Sequence, residues 1–254
     1  MTRGSHDQLH AVIFDVDGTL AETERDGHRQ AFNLAFRDFG LPYEWGVAEY
    51  GTLLATTGGR HRLQEFLTRQ GRGDAAQLAV ALHTAKTTHF LDWIRSGAAH
   101  ARPGVHELMK DLHNAGITVG VATTGSRSWV GPLLTRLFGD IDFAITVCGE
   151  DVDHLKPHPQ AYVHALDRLG LDARQAVAVE DSPPGLSAAT AAGLRCLVVP
   201  SAYNRNEDFP TAVAVVPGYL AMDLFDAPVP AYLRQGVTAA ALVRLHATPE
   251  RTQP

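Results

Sequence analysis

The chain has 254 residues, of which 45% are hydrophobic and 20% charged, and its formal net charge is −6 at pH 7. This length and apolar content suit one large domain or two unequal ones with a sizeable core, and they exclude wholesale disorder. The negative charge disfavours a general nucleic-acid binder, which needs a basic surface, but it allows a local basic pocket for a small anion.

No apolar run reaches the roughly 18 residues of a membrane span, and the first residues lack the apolar segment of a secretory signal. Cys148 and Cys196 lie in apolar stretches and are predicted to be core thiols rather than a disulfide. We expect a cytoplasmic, monomeric protein that acts on a small molecule and binds neither nucleic acid nor a membrane.

The first predicted element is a buried parallel strand at residues 12–14, followed at once by Asp15 and Asp17. A strand covered on both faces loses the alternation of apolar and polar residues, as this run does. Its carboxyl end is where open α/β sheets place their ligands. Residues two apart on an extended chain point the same way, so we expect both carboxylates to face one small volume. They would repel each other unless a cation or a shared proton intervened.

Residues 21–99 are predicted to form an all-helical cap. Phe32, Ala35, Phe36 and Phe39 repeat at helical spacing before Gly40, and further stripes follow a turn at residues 56–59. The segment around Trp45 and Tyr50 is predicted to be a looser connection. We expect three or four helices here and no strand.

Beyond residue 100, apolar strand patterns alternate with helical ones. Strands are predicted at residues 117–122, 143–147, 176–179 and 195–199, with a possible edge strand at 213–216 and a short helix near 237–245. Repeated β-α units give a parallel sheet with helices on both faces. The predicted fold is therefore α/β, a doubly wound Rossmann-like core formed by residues 1–20 and 100–254, with the helical cap over the sheet's carboxyl edge.

Each core strand is followed by polar residues that this topology brings to one edge. They are Asp15 and Asp17, Thr123-Thr124-Gly125-Ser126, Lys156-Pro157 at the predicted start of a helix, and Glu180-Asp181-Ser182. Carboxylates suit Mg²⁺, which shares its coordination sphere with a substrate phosphate. Threonine, glycine backbone and lysine suit phosphoryl oxygens. The sequence therefore predicts a magnesium and phosphoryl site.

The order and spacing of these residues resemble the four motifs of the haloacid dehalogenase (HAD) superfamily of phosphohydrolases. The motifs are Asp15-Val16-Asp17-Gly18-Thr19, Thr123, Lys156 and Glu180-Asp181. The helical insertion is similar to the cap of the β-phosphoglucomutase-like branch. Residues 14–24, 28–33, 57–59 and 179–182 look like those of CbbY-type phosphatases, which dephosphorylate xylulose bisphosphate, an inhibitor of Rubisco. The general resemblance covers residues 8 to 205.

The resemblance implies the roles of the core residues. Asp15 would attack phosphorus and form an aspartyl-phosphate, while Asp17 would serve as general acid and then as general base. Mg²⁺ would be held by Asp15, the main-chain carbonyl of Asp17 and Asp181, with Glu180 ligating directly or through water. The equatorial phosphoryl oxygens would be held by Thr123, the backbone at Thr124 and Gly125, and Lys156.

The cap is expected to select the substrate. The candidate substrate-binding residues there are Glu24, His28, Tyr50, Thr57, Gly58, Gly59, Arg60 and Arg62. Glu24 and His28 are four apart and share a helix face. Arg60 and Arg62 lie in the first turn after Gly58-Gly59, where free N–H groups already favour an anion. A second anion site argues for a substrate with two phosphates. Alternatively, Tyr50 packs in the cap and the two arginines are solvated.

The leading function is therefore a Mg²⁺-dependent phosphatase of a small sugar phosphate, most specifically a pentulose bisphosphate such as xylulose 1,5-bisphosphate. A sugar phosphomutase shares every core motif, and a broader sugar-monophosphate phosphatase could carry a similar cap. Dehalogenation is disfavoured because it needs no metal. A receiver-like signalling module of about 120 residues has no use for the helical insertion.

Overall fold

A six-stranded, all-parallel sheet forms the centre of the protein, whose computed structural model describes residues 8–224 and 227–248. The strands are β1 (Ala11–Phe14), β2 (Thr118–Ala122), β3 (Ile145–Val147), β4 (Ala176–Glu180), β5 (Arg195–Val198) and β6 (Ala214–Val215). Their order is β3-β2-β1-β4-β5-β6. The chain winds outward from β1 in both directions, so the strand order reverses beside β1, where doubly wound sheets bind ligands. The predicted fold class is confirmed.

Helices cover both faces of the sheet. In the described residues these are α5 (Val105–Asn114), α6 (Arg127–Phe138), α7 (Gln160–Leu169), α8 (Pro183–Ala191) and α9 (Ala239–Ala247). Alternate residues of β1 point to opposite faces. Val12 and Phe14 join a core with α5, α6 and α9, whereas Ala11 and Ile13 join one with α7 and α8. All four are fully buried, which explains the continuous apolar run.

The two cysteines are free and buried, as predicted. Cys148 belongs to the core on the α5 side of the sheet and Cys196 to the core on the α7 side. None of the helices in residues 8–224 and 227–248 combines the length and hydropathy that crossing a bilayer requires.

Four helices lie between β1 and α5, as the apolar stripes predict. They are α1 (Arg29–Asp38), α2 (Val47–Leu53), α3 (Gly59–Arg69) and α4 (Ala75–Arg95), preceded by a π-helical turn at Glu24–His28. We call these helices and the π-helical turn the helical block. Phe32, Phe36, Trp45 and Leu67 belong to a hydrophobic cluster of their own. The division into a core and a cap at residues 21–99 remains our prediction.

Some local expectations are wrong. The segment predicted as a looser connection contains α2. Phe39, the last residue of the apolar repeat predicted for the first helix, is 43% exposed, because α1 ends at Asp38 and the apolar face of the helix ends with it. Lys156 lies in a loop, since α7 begins only at Gln160. The residue before a proline is disfavoured in the helical conformation, and Lys156 precedes Pro157. Residues 1–7, 225–226 and 249–254 of the predicted core lie outside the described residues.

Candidate active site

One buried ammonium joins three of the strand ends. Lys156 Nζ lies 2.7 Å from Asp15 Oδ1 and 2.6 Å from Glu180 Oε1, and it also donates to the carbonyl of Ala122 at 2.7 Å. The partners follow or end β1, β2 and β4, three adjacent strands of the sheet. Residues far apart in sequence therefore meet at the carboxyl edge, as the parallel topology predicts.

Three buried carboxylates cluster at this edge. Asp15, Glu180 and Asp181 each offer an oxygen, and these oxygens lie within 4.8 Å of one another. Burial raises the pKa of Asp15 well above its usual range, against the opposing effect of Lys156. Burial, followed by the nearby Glu180, raises the pKa of Asp181 to about 7. One ammonium cannot balance three carboxylates, so the donor set fits a hard divalent cation such as Mg²⁺.

Further polar groups orient the acidic cluster. Asn204 Nδ2 donates to Asp181 Oδ2 at 3.0 Å and to Ser201 Oγ at 3.1 Å. Tyr162 donates its hydroxyl to Glu180 Oε1 at 2.7 Å, the oxygen that Lys156 also contacts. That oxygen of Glu180 therefore accepts two hydrogen bonds. Sequence reasoning missed Asn204, Ser201 and Tyr162, since no pattern links them to the four motifs.

Asp17 lines the same cavity as Asp15, as expected, but its side chain belongs to a different group of ionisable residues from the acidic cluster. β1 ends at Phe14, so the alternation of an extended strand no longer holds at residues 15–17. Asp17 Oδ1 instead accepts from Thr23 Oγ1 and lies 3.1 Å from His28 Nε2. Burial opposes ionisation of Asp17, but His28 and Thr23 outweigh it and lower the pKa of this carboxyl.

A buried lysine completes this chain of contacts. Lys86, on α4, lies with its Nζ 2.7 Å from His28 Nδ1. An ammonium can only donate, so Nδ1 accepts and His28 presents an Nε2–H to Asp17. Burial lowers the pKa of Lys86 to about 8, although Glu24 and Asp17 favour its charged form. Sequence reasoning missed Lys86, because its position on the apolar side of α4 gives no signal of a site.

The turn after β2 carries the predicted phosphoryl contacts. Thr123 is buried, and its Oγ1 accepts from the Gly125 amide at 3.0 Å. This bond holds the turn in which Thr124 and Gly125 line the cavities above the sheet edge. The structure thus brings Thr124, Gly125 and Lys156 to one cleft. Thr123 is buried behind them and holds the turn through its hydrogen bond from the Gly125 amide.

Two adjoining cavities of about 450 and 440 Å³ lie between the sheet edge and the helical block. Both are lined by Asp17, Glu24, Gly58, Arg62 and Thr124. We call the first the acidic cavity, because Asp15, Lys156 and Asp181 line it together with Thr57, Tyr203 and Asn204. We call the second the basic cavity, because its lining includes His28, Gly59, Arg60, His61, His83, Lys86 and Gly125.

The cap residues predicted to bind substrate differ in whether they line the two cavities. Arg60 is exposed and lines the basic cavity. Tyr50 is fully buried and lines neither of the two cavities, but its hydroxyl donates to Glu24 Oε2 at 2.6 Å and accepts from Arg62 Nη1 at 3.1 Å. Its ring also packs against Trp45. Tyr50 therefore holds Glu24 and Arg62, which do line the cleft, so it packs in the helical block as the alternative interpretation holds.

Comparison with known proteins gives a consistent assignment. A family model described as haloacid dehalogenase-like hydrolase matches residues 9–193. Protein CbbY of Rhodobacter capsulatus is 43% identical over 209 residues, which cover 81% of this chain and 91% of that protein. The crystal structure of a CbbY mutant from Rhodobacter sphaeroides in complex with xylulose-(1,5)bisphosphate matches with a TM-score of 0.77 and 41% identity, covering 83% of this chain and 94% of that one. A putative β-phosphoglucomutase from Thermotoga maritima matches with a TM-score of 0.63 and 25% identity, covering 82% of this chain and 94% of that one.

Proposed function

The chain belongs to the haloacid dehalogenase-like hydrolase family and is a phosphatase, and on that premise we propose that it hydrolyses a pentulose bisphosphate such as xylulose 1,5-bisphosphate. The observation that carries the proposal is the pair of adjoining cavities, one at Asp15 and Lys156 and the other lined by Arg60, His61 and Lys86. A sugar with a phosphate at each end would place one in each cavity. The likeness to a CbbY that binds xylulose bisphosphate supports the same substrate.

The residues support a two-step hydrolysis. A carboxylate oxygen of Asp15 attacks phosphorus, and the bond from phosphorus to the sugar oxygen breaks while Asp17 gives that oxygen its proton. Water then attacks the aspartyl-phosphate, and Asp17 takes the proton from the water. The lowered pKa of Asp17 leaves it ionised in the free enzyme. A dianionic substrate beside it raises that pKa and favours the protonated acid.

Lys156 and the turn after β2 hold the phosphoryl oxygens during both steps. The Lys156 ammonium is fixed by Asp15, Glu180 and the Ala122 carbonyl, so it needs no reorganisation when charge moves to the phosphoryl group. Mg²⁺ would be held by Asp15, Asp181 and the main-chain carbonyl of Asp17, with Glu180 ligating directly or through water. When bound, the metal neutralises negative charge on the phosphoryl oxygens.

We expect Asn204→Ala to weaken Mg²⁺ binding about tenfold, because residues that orient a metal ligand affect affinity to this extent. The Asn204 amide holds Asp181 Oδ2 and lies outside the proposed ligand set. Isothermal titration with MgCl₂ in the absence of substrate measures the effect. Asn114→Ala, an exposed position on α5, is the matched control. Equal affinities in Asn204→Ala and wild type would contradict the orienting role.

Activity is expected to fall as the pH rises through about 8, where Lys86 loses its proton. Below that pH the ammonium donates a charge-assisted hydrogen bond to His28 and so fixes its tautomer toward Asp17. Glu24 and Asp17 favour the ammonium, whereas burial and Arg62 oppose it. Because kcat/KM reports groups of the free enzyme, its pH profile is the measurement.

In Lys86→Met, kcat/KM should be roughly tenfold lower at pH 7, since the orientation of the acid–base group is impaired. It should not fall further near pH 8. Lys110→Met, which removes an exposed lysine paired with Asp140, should keep the wild-type profile. A fall of the same size near pH 8 in Lys86→Met would assign that titration to another group.

Product analysis tests the proposed reaction. Xylulose 1,5-bisphosphate and a panel of sugar monophosphates are incubated with enzyme, with and without MgCl₂, and inorganic phosphate and sugar products are quantified. Mg²⁺-dependent release of one phosphate from the bisphosphate, faster than from any monophosphate, is the expected result. Transfer of phosphate between sugar positions without release would indicate a phosphomutase, and equal release across monophosphates would indicate a broad phosphatase.

A further inference from the structure

We propose that Arg102 and Tyr219 are positioning residues that fix the loop carrying Asp15 and Asp17. This inference rests on the roles proposed above for the two aspartates. Neither residue is among the motifs that point to the site, and Tyr219 lies beyond residue 193, where the match to the family model ends. A set of contacts converges on the backbone just after Asp17.

Arg102 stands where the chain returns from the helical block to the sheet. Ala21 on the outgoing segment pairs antiparallel with Ala101 on the returning one. The Arg102 amide donates to the Leu20 carbonyl at 2.8 Å. The two connections between sheet and helical block therefore run side by side and are tied together at Arg102.

The Arg102 side chain is buried and serves three backbone carbonyls. Nη1 donates to the carbonyl of Gly18 and, at 2.6 Å, to that of Val199, while Nη2 donates to Pro200 at 3.2 Å. Its ion pair with Glu22 is longer, at 3.6 Å. A planar guanidinium can bridge several carbonyls in fixed directions, which a lysine ammonium on a flexible stem cannot do. Arg102 thus fastens the loop after β1 to the loop after β5.

One of the three carbonyls that accept from Arg102 belongs to Gly18, the residue after Asp17. Gly18 has a φ of +81°, and a Cβ built on it would lie 2.2 Å from Asp181 Oδ2. The backbone of the loop therefore lies directly against the acidic cluster, with no room for a side chain between them. A shift of the Gly18 peptide would move Asp17 relative to Asp15 and Asp181.

Tyr219 holds the next peptide of the same loop. Its hydroxyl donates to the Thr19 carbonyl at 3.1 Å, and its ring lies 5.5 Å from the Arg102 guanidinium carbon. Its own carbonyl accepts from the Val237 amide at 2.8 Å. The C-terminal segment that packs on the sheet thereby supports the catalytic loop through one buried tyrosine. Arg102 and Tyr219 together fix two successive carbonyls, those of Gly18 and Thr19.

The test compares Arg102→Lys, Tyr219→Phe and the control Tyr232→Phe. Tyr232 packs against the same core, but its hydroxyl lies 3.5 Å from Thr248 Oγ1, away from the catalytic loop. Kinetics are measured on whichever phosphate ester the wild type cleaves best. We expect kcat to fall about 10²-fold in Arg102→Lys, because small misplacements of reacting groups cost this much. The fall should be about fivefold in Tyr219→Phe, the effect of one hydrogen bond, and KM should change little in either.

Amide hydrogen exchange of residues 15–23 gives a second measurement that does not depend on catalysis. The proposal is supported if exchange at residues 15–23 is faster in both variants and exchange in α9 is unchanged. The control Tyr232→Phe should behave like the wild type. Unchanged exchange at residues 15–23, or faster exchange with unchanged kcat, would overturn the proposal. Full activity of Asp15→Asn would instead count against the proposed function, and the exchange result would still decide whether Arg102 and Tyr219 hold the loop.

Discussion

Asp15→Asn is expected to lower kcat by at least about 10⁴-fold, because an amide of the same shape cannot attack phosphorus. The variant should fold normally. Asparagine fills the same volume, and it removes one of three buried carboxylates that repel one another. Glu180 remains as a partner for the Lys156 ammonium, so no buried charge is left alone. Steady-state phosphate release and thermal unfolding measure the two expectations.

Asp142→Asn provides the matched control for this substitution. Asp142 is an exposed aspartate of the segment before β3, distant from the sheet's carboxyl edge, and its loss should leave kcat unchanged. If Asp15→Asn kept more than a tenth of the wild-type kcat, another group would have to be the nucleophile. The proposed aspartyl-phosphate at Asp15 would then be wrong.

Lys156→Met is expected to damage both catalysis and stability. Methionine keeps much of the length of the side chain but leaves Asp15 and Glu180 without their shared cation. Removing one partner of a buried ion pair costs about 3–5 kcal/mol of the free energy of unfolding. Because phosphoryl oxygens also lose a fixed cation, kcat should fall about 10³-fold, as for other preorganised electrostatic groups.

The stability loss in Lys156→Met should depend on pH. Asp15 and Lys156 both have raised pKa values in the folded wild type, Lys156 because its carboxylate partners outweigh the cost of its burial. The Lys156 ammonium therefore stabilises the folded protein at every pH below the pKa of a free lysine. In the variant, Asp15 and Glu180 lack a cation and bind protons more readily. The loss in the free energy of unfolding relative to wild type should therefore shrink as the pH falls from 8 to 5.

Urea unfolding of Lys156→Met at several pH values, alongside Lys110→Met, tests this expectation. Lys110 is an exposed lysine whose surface pair with Asp140 is screened by solvent and contributes little to stability. A deficit in Lys156→Met that is no larger than in Lys110→Met would contradict the account of the buried ammonium. So would a deficit that grows as the pH falls.

The sequence was sufficient to predict the parallel sheet and the convergence of its strand ends. Runs such as residues 11–14 are apolar because both faces are buried, and a parallel sheet has to bring its carboxyl ends to one edge. The sequence predicts Lys156 as a site residue although it lies in a loop. Its place in the order of the motifs identifies it, and local structure does not. The order of the strands, with β1 beside both β2 and β4, then explains why Asp15, Lys156 and Glu180 meet.

Side-chain directions were harder to predict. Asp17 lines the same cavity as Asp15, as expected, but its carboxylate contacts His28 rather than joining the acidic cluster. Lys86 occupies a buried position of α4, where helical spacing favours an apolar contact, and its meeting with His28 depends on how α4 packs against the π-helical turn. Asn204 reaches Asp181 from the loop after β5, and no local pattern encodes that approach.

The bisphosphate substrate is tested most directly by the ratio of kcat/KM for xylulose 1,5-bisphosphate to that for xylulose 5-phosphate, measured with saturating Mg²⁺. If the basic cavity holds the second phosphate, the charge-assisted hydrogen bonds to that group should raise the ratio to about 10² or more. A ratio near one would show that the second phosphate gains nothing from the basic cavity and would contradict the assignment of a bisphosphate substrate.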